Sequence, residues 1–347
     1  MNVFFYQRKP AKSNFSIETL FNNIITHLPP DVHATVSISK YVNSGIYSKL
    51  YNMFEILFKK QGDINHVTGD IHYIALFLNK KKTILTIHDL NLLYSSNKVK
   101  NFIHKWFWIR MPIKCSKVVT VISWSTKQEL LKFTKCDPDK IKVIYNCISP
   151  AFTPHPKLFN KTKPVILHIG CKSNKNLTGV IEAVKDLECR LEIIGSPTVA
   201  QLSLLQKYQI EYSTQSGLSE QEVIQKYIAC DILVFVSFFE GFGLPIIEAN
   251  AIERVVVTSN ISSMPEIAGD AAYLVDPYDI QSIRKGIIKV IENDSLRENL
   301  IRNGRKNKAR FTAEQIADQY YGLYQQLMVH PDKNDATPYT LAPDLAK

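Results

Sequence analysis

The patterning of this chain implies an α/β protein of two doubly wound, Rossmann-like domains that face each other across a cleft. Three observations support it. Short runs rich in β-branched and aromatic residues alternate with amphipathic segments along most of the 347 residues. A proline-rich seam without periodicity, residues 149–164, divides these runs into two series. The charge also changes at that seam: residues 1–150 hold 21 Lys+Arg against 9 Asp+Glu, net +12, while residues 151–347 hold 21 against 23, net −2.

In the first series, strands are expected over residues 3–6, 34–39, 64–67, 83–88, 118–123 and 141–145, with helices over 17–25, 46–58 and 124–133 between them. The second series places strands at 165–170, 190–195, 231–237, 255–259 and 272–275, accompanied by helices at 177–187, 220–228 and 280–291. Most of the strand runs are continuously apolar, which is what strands buried on both faces of a parallel sheet require. Repeated β-α-β units then imply crossover helices on both faces. Pro150, Pro154, Pro156 and Pro164 make the seam a linker, so the domains are expected at 1–155 and 156–312. A last helix over 313–328, apolar at 316, 317, 320, 321, 324 and 327, is expected to pack back on the first domain. Residues 330–347, with three prolines, read as a disordered tail.

Composition narrows the function classes. With 45% hydrophobic residues the chain is not dominated by disorder. No apolar run approaches the roughly 18 residues needed to cross a bilayer, and residues 1–10 are charged where a signal peptide needs an apolar region. A cytoplasmic protein is the expectation, at most associated with the inner face of the membrane. Six cysteines without a C-x-x-C pair read as packed thiols, and no metal site is expected. The basic half implies an anionic partner such as nucleic acid, acidic lipid headgroups or a phosphorylated substrate, or else only a lysine-rich surface.

The most informative segment is residues 238–248, FFEGFGLPIIE, directly after the strand at 231–237. It reads as strand, glycine turn, helix. Gly241 and Gly243 permit a tight turn with backbone N–H groups facing a ligand, and Pro245 suits the first helical turn. A helix N-terminus behind a glycine loop is a ready site for phosphate oxygens. Glu240 on the loop and Glu248 one turn into the helix can line the same crevice. Acceptor-only carboxylates beside an anion site suit a ligand carrying both hydroxyls and phosphates.

This segment resembles the E-x7-E signature, E-G-F-G-L-P-x-x-E, of the retaining glycosyltransferases of family 4, which have the GT-B architecture. Residues 260–279, the stretch 167–177 with its glycine loop and lysine, residues 83–90 ending in a histidine, and residues 118–146 are similar to further parts of that family. The match spans about residues 60–328 and is weak before that. The resemblance implies a retaining transfer of a sugar from a nucleotide-diphosphate sugar (GDP-, UDP- or dTDP-linked) to a hydroxyl of a saccharide or lipid-linked acceptor, in cell-surface polysaccharide synthesis. It implies neither cofactor nor metal. Carried onto this chain, Glu240 would meet donor-sugar hydroxyls, Glu248 the ribose hydroxyls, and Phe242, Gly243 and Leu244 would offer backbone N–H groups after Gly241. Lys175, following Gly170, would neutralise the diphosphate, with Lys172 as a second charge, and His88 would sit across the cleft. A lysine and a helix N-terminus aimed at a leaving diphosphate act where charge develops.

The chain departs from the family pattern in three places. Cys171 stands where an arginine is usual, residues 6–15 lack the usual Gly-Gly pair, and Glu253-Arg254-Val255 replaces a frequent glycine and proline. Arg8, Lys9 and Lys12 could therefore bind an anionic acceptor group. Asp137-Pro138-Asp139 reads as turn chemistry rather than as a metal site. Ser263-Met264-Pro265-Glu266 fits a capping box, which makes Glu266 a cap of its own helix rather than a catalytic acid. His66 and His72 either reach the cleft or are polar loop residues, and His168 reads as a core histidine. Residues 98–114 mix aromatics with Lys and Arg, and either lie against a membrane interface or form an inter-strand helix on the sheet. From other classes, a disaccharide synthase or phosphorylase on the same scaffold, a non-catalytic nucleotide-sugar-binding protein, or a nucleic-acid-binding protein are the alternatives; no RNA-binding motif supports the last.

Overall fold

A computed structural model describes residues 1–10, 16–42, 45–90 and 105–329. Among them, strands form two six-stranded sheets, parallel throughout. The first contains β1 (Asn2–Gln7), β2 (His33–Ile38), β3 (Ile64–Val67), β4 (Thr83–Ile87), β5 (Val118–Val121) and β6 (Ile141–Val143), in the order β2-β1-β3-β4-β5-β6. The second contains β7 (Val165–Ile169), β8 (Arg190–Ile194), β9 (Glu211–Gln215), β10 (Ile232–Phe235), β11 (Val255–Ser259) and β12 (Tyr273–Val275), in the order β12-β11-β10-β7-β8-β9. The strand order therefore reverses beside β1 and β3 in one sheet, and beside β7 and β10 in the other. Open parallel sheets bind ligands at such switch points, beyond the carboxyl ends of the strands.

β4, β10 and β11 are buried at every position, as continuous apolar runs require. β2 departs from that expectation: it is an edge strand exposed along nearly its whole length. The crossover helices of the first sheet are α1 (Ser16–Thr26), α2 (Gly45–Leu57) and α3 (Trp124–Phe133). Those of the second are α4 (Leu177–Val184), α5 (Val199–Lys207), α6 (Glu220–Ala229), α7 (Leu244–Ile252), the short α8 (Met264–Ala268), α9 (Ile280–Glu292) and α10 (Asp294–Lys308). The sequence reading did not contain β9, α5 or α10. Residues 330–347, read as a tail, and 98–104 lie outside the described residues.

The last helix, α11 (Ala313–Val329), lays Ile316, Tyr320, Leu323 and Tyr324 against Val3, Phe5 and Phe21 of the first sheet's layer. Each such fully buried side chain contributes about 1.5–3 kcal/mol. A polar chain runs through this apolar contact. His66 lies in β3 at the centre of the core, with Nδ1 2.8 Å from the Tyr324 hydroxyl and Nε2 2.7 Å from Thr86 Oγ1, which is 2.6 Å from Thr120 Oγ1. Burial holds its imidazole down to about 3, so it is neutral. His66 is thus neither a cleft nor a loop residue. Residues 105–114 settle between their two readings: Ile109 and Ile113 pack in the core beside the sheet, while Phe107 is exposed.

Replacing Tyr324 by Phe strips the hydroxyl from His66 Nδ1 and leaves a buried ring nitrogen unpaired. The free energy of unfolding should fall by about 1–3 kcal/mol, read as a lower urea midpoint with the slope unchanged.

Candidate active site at the switch points of the two sheets

Two loops at the carboxyl ends of β7 and β10 build the second sheet's side of the cleft. After β7, Gly170 turns the chain with φ +93°, and a Cβ there would come within 2.8 Å of Lys175 Cγ. Glycine is needed for both reasons. A single 3-10 turn, Ser173–Lys175, follows, and Asn176 enters α4 in the left-handed region at φ 59°. Asn176 is held there by Nδ2, which donates to the carbonyls of Val236 (3.2 Å) and Pro277 (2.8 Å). The second loop is laced to the first: Phe238 N donates to Asn174 O (2.8 Å) and Asn174 Nδ2 to Phe239 O (3.1 Å).

Lys175 therefore folds over Gly170 and places Nζ 2.6 Å from Glu240 Oε1, with the ring of Phe235 5.0 Å beneath it. Lys172 stands exposed at the rim of the loop. Cys171, in the place of the usual arginine, does not face this crevice. It is buried, and a Cβ on Gly195 would come within 2.7 Å of its Sγ; burial pushes its thiol up. His168 is a core residue whose ring nitrogens lie 3.1 Å from Val234 O and 3.0 Å from Gly170 O, and burial lowers it to about 4.

In the motif itself the two glycines serve different ends. Gly243, at φ +111°, is the N-cap of α7, with Leu244 and Pro245 forming its first turn. Gly241 has an ordinary φ, but a Cβ there would stand 2.2 Å from the backbone oxygen of His88. Phe242 is buried, its ring 6.0 Å from Tyr145 and 5.7 Å from Phe311. Hydroxyls from the loop after β11 fix the turn: Glu240 N donates to Ser262 Oγ (3.2 Å), and Ser263 Oγ donates to Phe242 O (2.6 Å). One turn along α7, Glu248 accepts from the Tyr227 hydroxyl (2.6 Å), and burial pushes its carboxyl up to about 7. The charges of Glu220 and, more weakly and in the opposite sense, Lys175 also act on it.

The first sheet closes the cleft from the other side. His88 follows β4; its Nε2 donates to Thr68 O (2.9 Å), and burial lowers its pKa, leaving a neutral ring with Nδ1 as acceptor. At the β1/β3 switch point Arg8 is occupied: Nε lies 2.8 Å from Glu18 and Nη1 2.6 Å from Asp70. This corrects the expectation that Arg8 offers a charge to an anionic acceptor group, since two carboxylates already neutralise it. Lys9 is exposed, and Lys12 lies outside the described residues. His72 is buried, with Nδ1 donating to Trp108 O (3.1 Å).

A second correction concerns the proposed capping box. Ser263 makes no side-chain cap on α8. Instead, Glu266 reaches across the cleft to α3, accepting from the backbone N–H groups of Trp124 (2.8 Å) and Ser125 (3.3 Å). It caps a helix of the opposite sheet. Burial pushes it up to about 7. Ser123 Oγ and Thr126 Oγ1, from the same helix start, donate to Gly241 O at 2.7 and 3.1 Å. Asp137 caps the turn Pro138–Lys140 and accepts from Asp139 N at 2.9 Å, so the D-x-D string is turn chemistry. Among the described residues there is no group of three or more His, Cys, Asp or Glu that could hold a metal ion, and no helix long and apolar enough to cross a membrane.

Two sequence-family models match the chain: Glycosyl transferases group 1 over residues 152–307, and Glycosyltransferase Family 4 over residues 18–152, so the likeness begins well before residue 60. The O-antigen chain mannosyltransferase B of Escherichia coli is 24% identical over 275 residues, 71% of each chain. The N-acetyl-alpha-D-glucosaminyl L-malate synthase of Bacillus anthracis is 26% identical over 309 residues, 81% of this chain and 79% of its own. Among solved structures, the sucrose-phosphate synthase of Thermosynechococcus elongatus superposes with TM-score 0.76 at 16% identity, covering 94% of this chain and 99% of the other. Anabaena HepE in complex with UDP-glucose does so with TM-score 0.76 at 14% identity, covering 94% and 100%. These two likenesses are of fold, and the fold is GT-B.

Gly241→Ala drives a methyl group into the His88 carbonyl. It should cost about 1–3 kcal/mol of stability and separate the facing sheet edges, read as a lower melting temperature and a larger radius of gyration in small-angle scattering.

Proposed function

Given that the chain belongs to the group 1 glycosyl transferases and is a glycosyltransferase, we propose that it moves one sugar from a nucleotide-diphosphate sugar to a hydroxyl of a saccharide or lipid-linked acceptor, with retention at the anomeric carbon. The observation that carries this reading is the Lys175–Glu240 pair at 2.6 Å, set at the β7/β10 switch point against the N-terminus of α7. A diphosphate entering there competes with Glu240 for Lys175. The exchange places the lysine and the loop's backbone N–H groups on the leaving phosphate and frees Glu240 for hydroxyls of the donor sugar. In a front-face substitution the bond from the anomeric carbon to the phosphate oxygen breaks. The bond to the acceptor oxygen forms on the same face, and the acceptor's proton passes to the departing phosphate. Lys175 and the helix N-terminus act where negative charge develops, without a metal. His88, neutral and across the loop from Gly241, orients the sugar, and Glu248 holds the ribose. Closure of the two sheets around Gly241 excludes water, the competing acceptor.

Relatives named as O-antigen chain mannosyltransferases, and a neighbour solved with UDP-glucose, support a role in building cell-surface polysaccharide. The test is turnover against a panel of GDP-, UDP- and dTDP-sugars chosen by thermal shift, since a ligand of the native state raises its stability with ln(1 + [L]/Kd). Glu240→Ala and Lys175→Ala should each lower kcat by about 100-fold or more; near-wild-type turnover in both variants would remove the assignment.

The raised Glu248 carboxyl gives the donor site its own pH dependence. With a pKa near 7 it is mostly ionised at pH 8 and mostly protonated at pH 6. A protonated carboxyl has fewer acceptor positions for ribose hydroxyls. Donor Kd measured by calorimetry should therefore rise several-fold between pH 8 and pH 6, and this dependence should vanish in Glu248→Gln.

A further inference from the structure

Three buried polar atoms without a hydrogen-bond partner among the described residues gather at the carboxyl ends of β1 and β3: Gln7 Nε2, Glu18 Oε2 and His72 Nε2. Gln7 is the last residue of β1, Glu18 lies in the first turn of α1, and His72 opens the 3-10 turn after β3. All three side chains are buried. A folded core holds few such atoms, because each bears its full desolvation penalty. Sites that bind a ligand are where a fold accepts that penalty.

The printed contacts run without a break from the donor loop to these atoms. His88, whose backbone oxygen faces Gly241, donates through Nε2 to Thr68 O (2.9 Å), and Thr68 N donates to Tyr6 O (3.1 Å), one residue before Gln7. The His88 ring stands edge-on to Phe21 of α1, 6.0 Å away. Arg8, one residue after Gln7, joins Glu18 Oε1 (2.8 Å) to Asp70 Oδ2 (2.6 Å).

The chemistry of the three atoms says what meets them. His72 Nδ1 donates to Trp108 O, so Nε2 is the bare nitrogen of a ring that burial keeps neutral. Glu18 Oε2 and His72 Nε2 each call for an O–H or N–H, and Gln7 Nε2 calls for an oxygen. A sugar hydroxyl supplies both. An ionised phosphate or carboxylate group has no such proton to give, and it would bring negative charge against Glu18 and Asp70, between which Arg8 is already shared. The charge of Asp89 acts on both His72 and His88 and adds to that opposition.

Taking the chain as a transferase to a hydroxyl, as proposed above, we propose that the receiving sugar is a neutral, hydroxyl-rich ring read by Gln7, Glu18 and His72. Gln7 Nε2 donates to one of its oxygens, while Glu18 Oε2 and His72 Nε2 take the protons of two hydroxyls in hydrogen bonds. A ring lacking one of those hydroxyls leaves a buried group unpaired, and a site built around a hydroxyl rejects such an analogue strongly.

Transfer to methyl glycosides of neutral hexoses and N-acetylhexosamines, to their 6-carboxylate and 6-phosphate counterparts, and to monodeoxy forms of the best neutral glycoside tests this. Neutral glycosides should show kcat/KM at least about tenfold above the anionic ones, and at least one deoxy form should lose about tenfold or more. Gln7→Leu, and His72→Asn, which keeps a donor for Trp108 O, should each raise KM for the neutral glycoside by at least about tenfold, with donor Kd by calorimetry changed less than about twofold. Gln7→Leu should melt no lower than the wild-type chain, because it removes an unpaired buried group. Glu18→Gln should narrow the preference for neutral over anionic glycosides. Anionic glycosides used as well as neutral ones, or Gln7→Leu with KM for the glycoside unchanged, would overturn the proposal. So would a Gln7→Leu variant in which glycoside KM, donor Kd and melting temperature worsen together, the mark of a merely structural side chain. Failure of the wild-type chain to bind any nucleotide-sugar in the calorimeter would instead overturn the transferase reading, and this inference with it.

Discussion

Everything about the cleft depends on the approach of two backbones. The motif loop after β10 comes so close to the end of β4 that a single Cβ at position 241 would overlap the carbonyl oxygen of His88 at 2.2 Å. That contact fixes how the two sheets face each other, and three further interactions converge on it from one helix start: Ser123 and Thr126 hold the Gly241 carbonyl, and the first amides of α3 are capped by Glu266. Orphan amides at a helix N-terminus must be satisfied somewhere. Here a carboxylate from the opposite sheet satisfies them, so separating the domains costs a helix cap as well as packing.

The core of the fold was legible because burial writes itself into sequence. Strands covered on both faces, such as β4 and β11, are mostly apolar runs, and both were placed within a residue. The elements that escaped are those without that constraint. β9, Glu-Tyr-Ser-Thr-Gln, is an edge strand with polar positions left to solvent. α10 buries only a few positions, one of them Arg297 and another Asn307, so it carries no clear apolar stripe.

The site divides along a similar line. Glu240 and Gly243 stood out because a glycine loop at the carboxyl end of a strand has few other uses, and Lys175 stood out only through the family resemblance; the topology brings their two loops to one switch point. The partners that tune them were not. Tyr227 lies on α6, and only the fold sets its hydroxyl against Glu248. Asn176 in the left-handed region, joining Val236 to Pro277, has no spacing that announces it. Glu266 was misread because Ser-x-x-Glu is a local signal, and a local signal cannot show that a helix from the other sheet offers its amides at the same spot. His66 was misplaced for the converse reason. A polar residue in a strand suggests a surface, unless a tyrosine hydroxyl and a threonine come from elsewhere to satisfy it.

The distribution of charge now has a different meaning. The net +12 of residues 1–150 suggested an anionic ligand for the first domain, yet at that domain's own switch point the arginine is neutralised by Glu18 and Asp70. Its cations gather instead at the amino ends of its strands and around α2. In the second domain, nearly neutral overall, Lys175 is balanced by one carboxylate and stands close to another whose pKa burial has raised. A cation balanced in this way adds little to net charge but can be transferred to an incoming diphosphate, because exchanging one anion for a more highly charged one in a partly buried crevice is favourable. Net charge is therefore a poor guide to the proposed donor site, whose charges are paired rather than in excess.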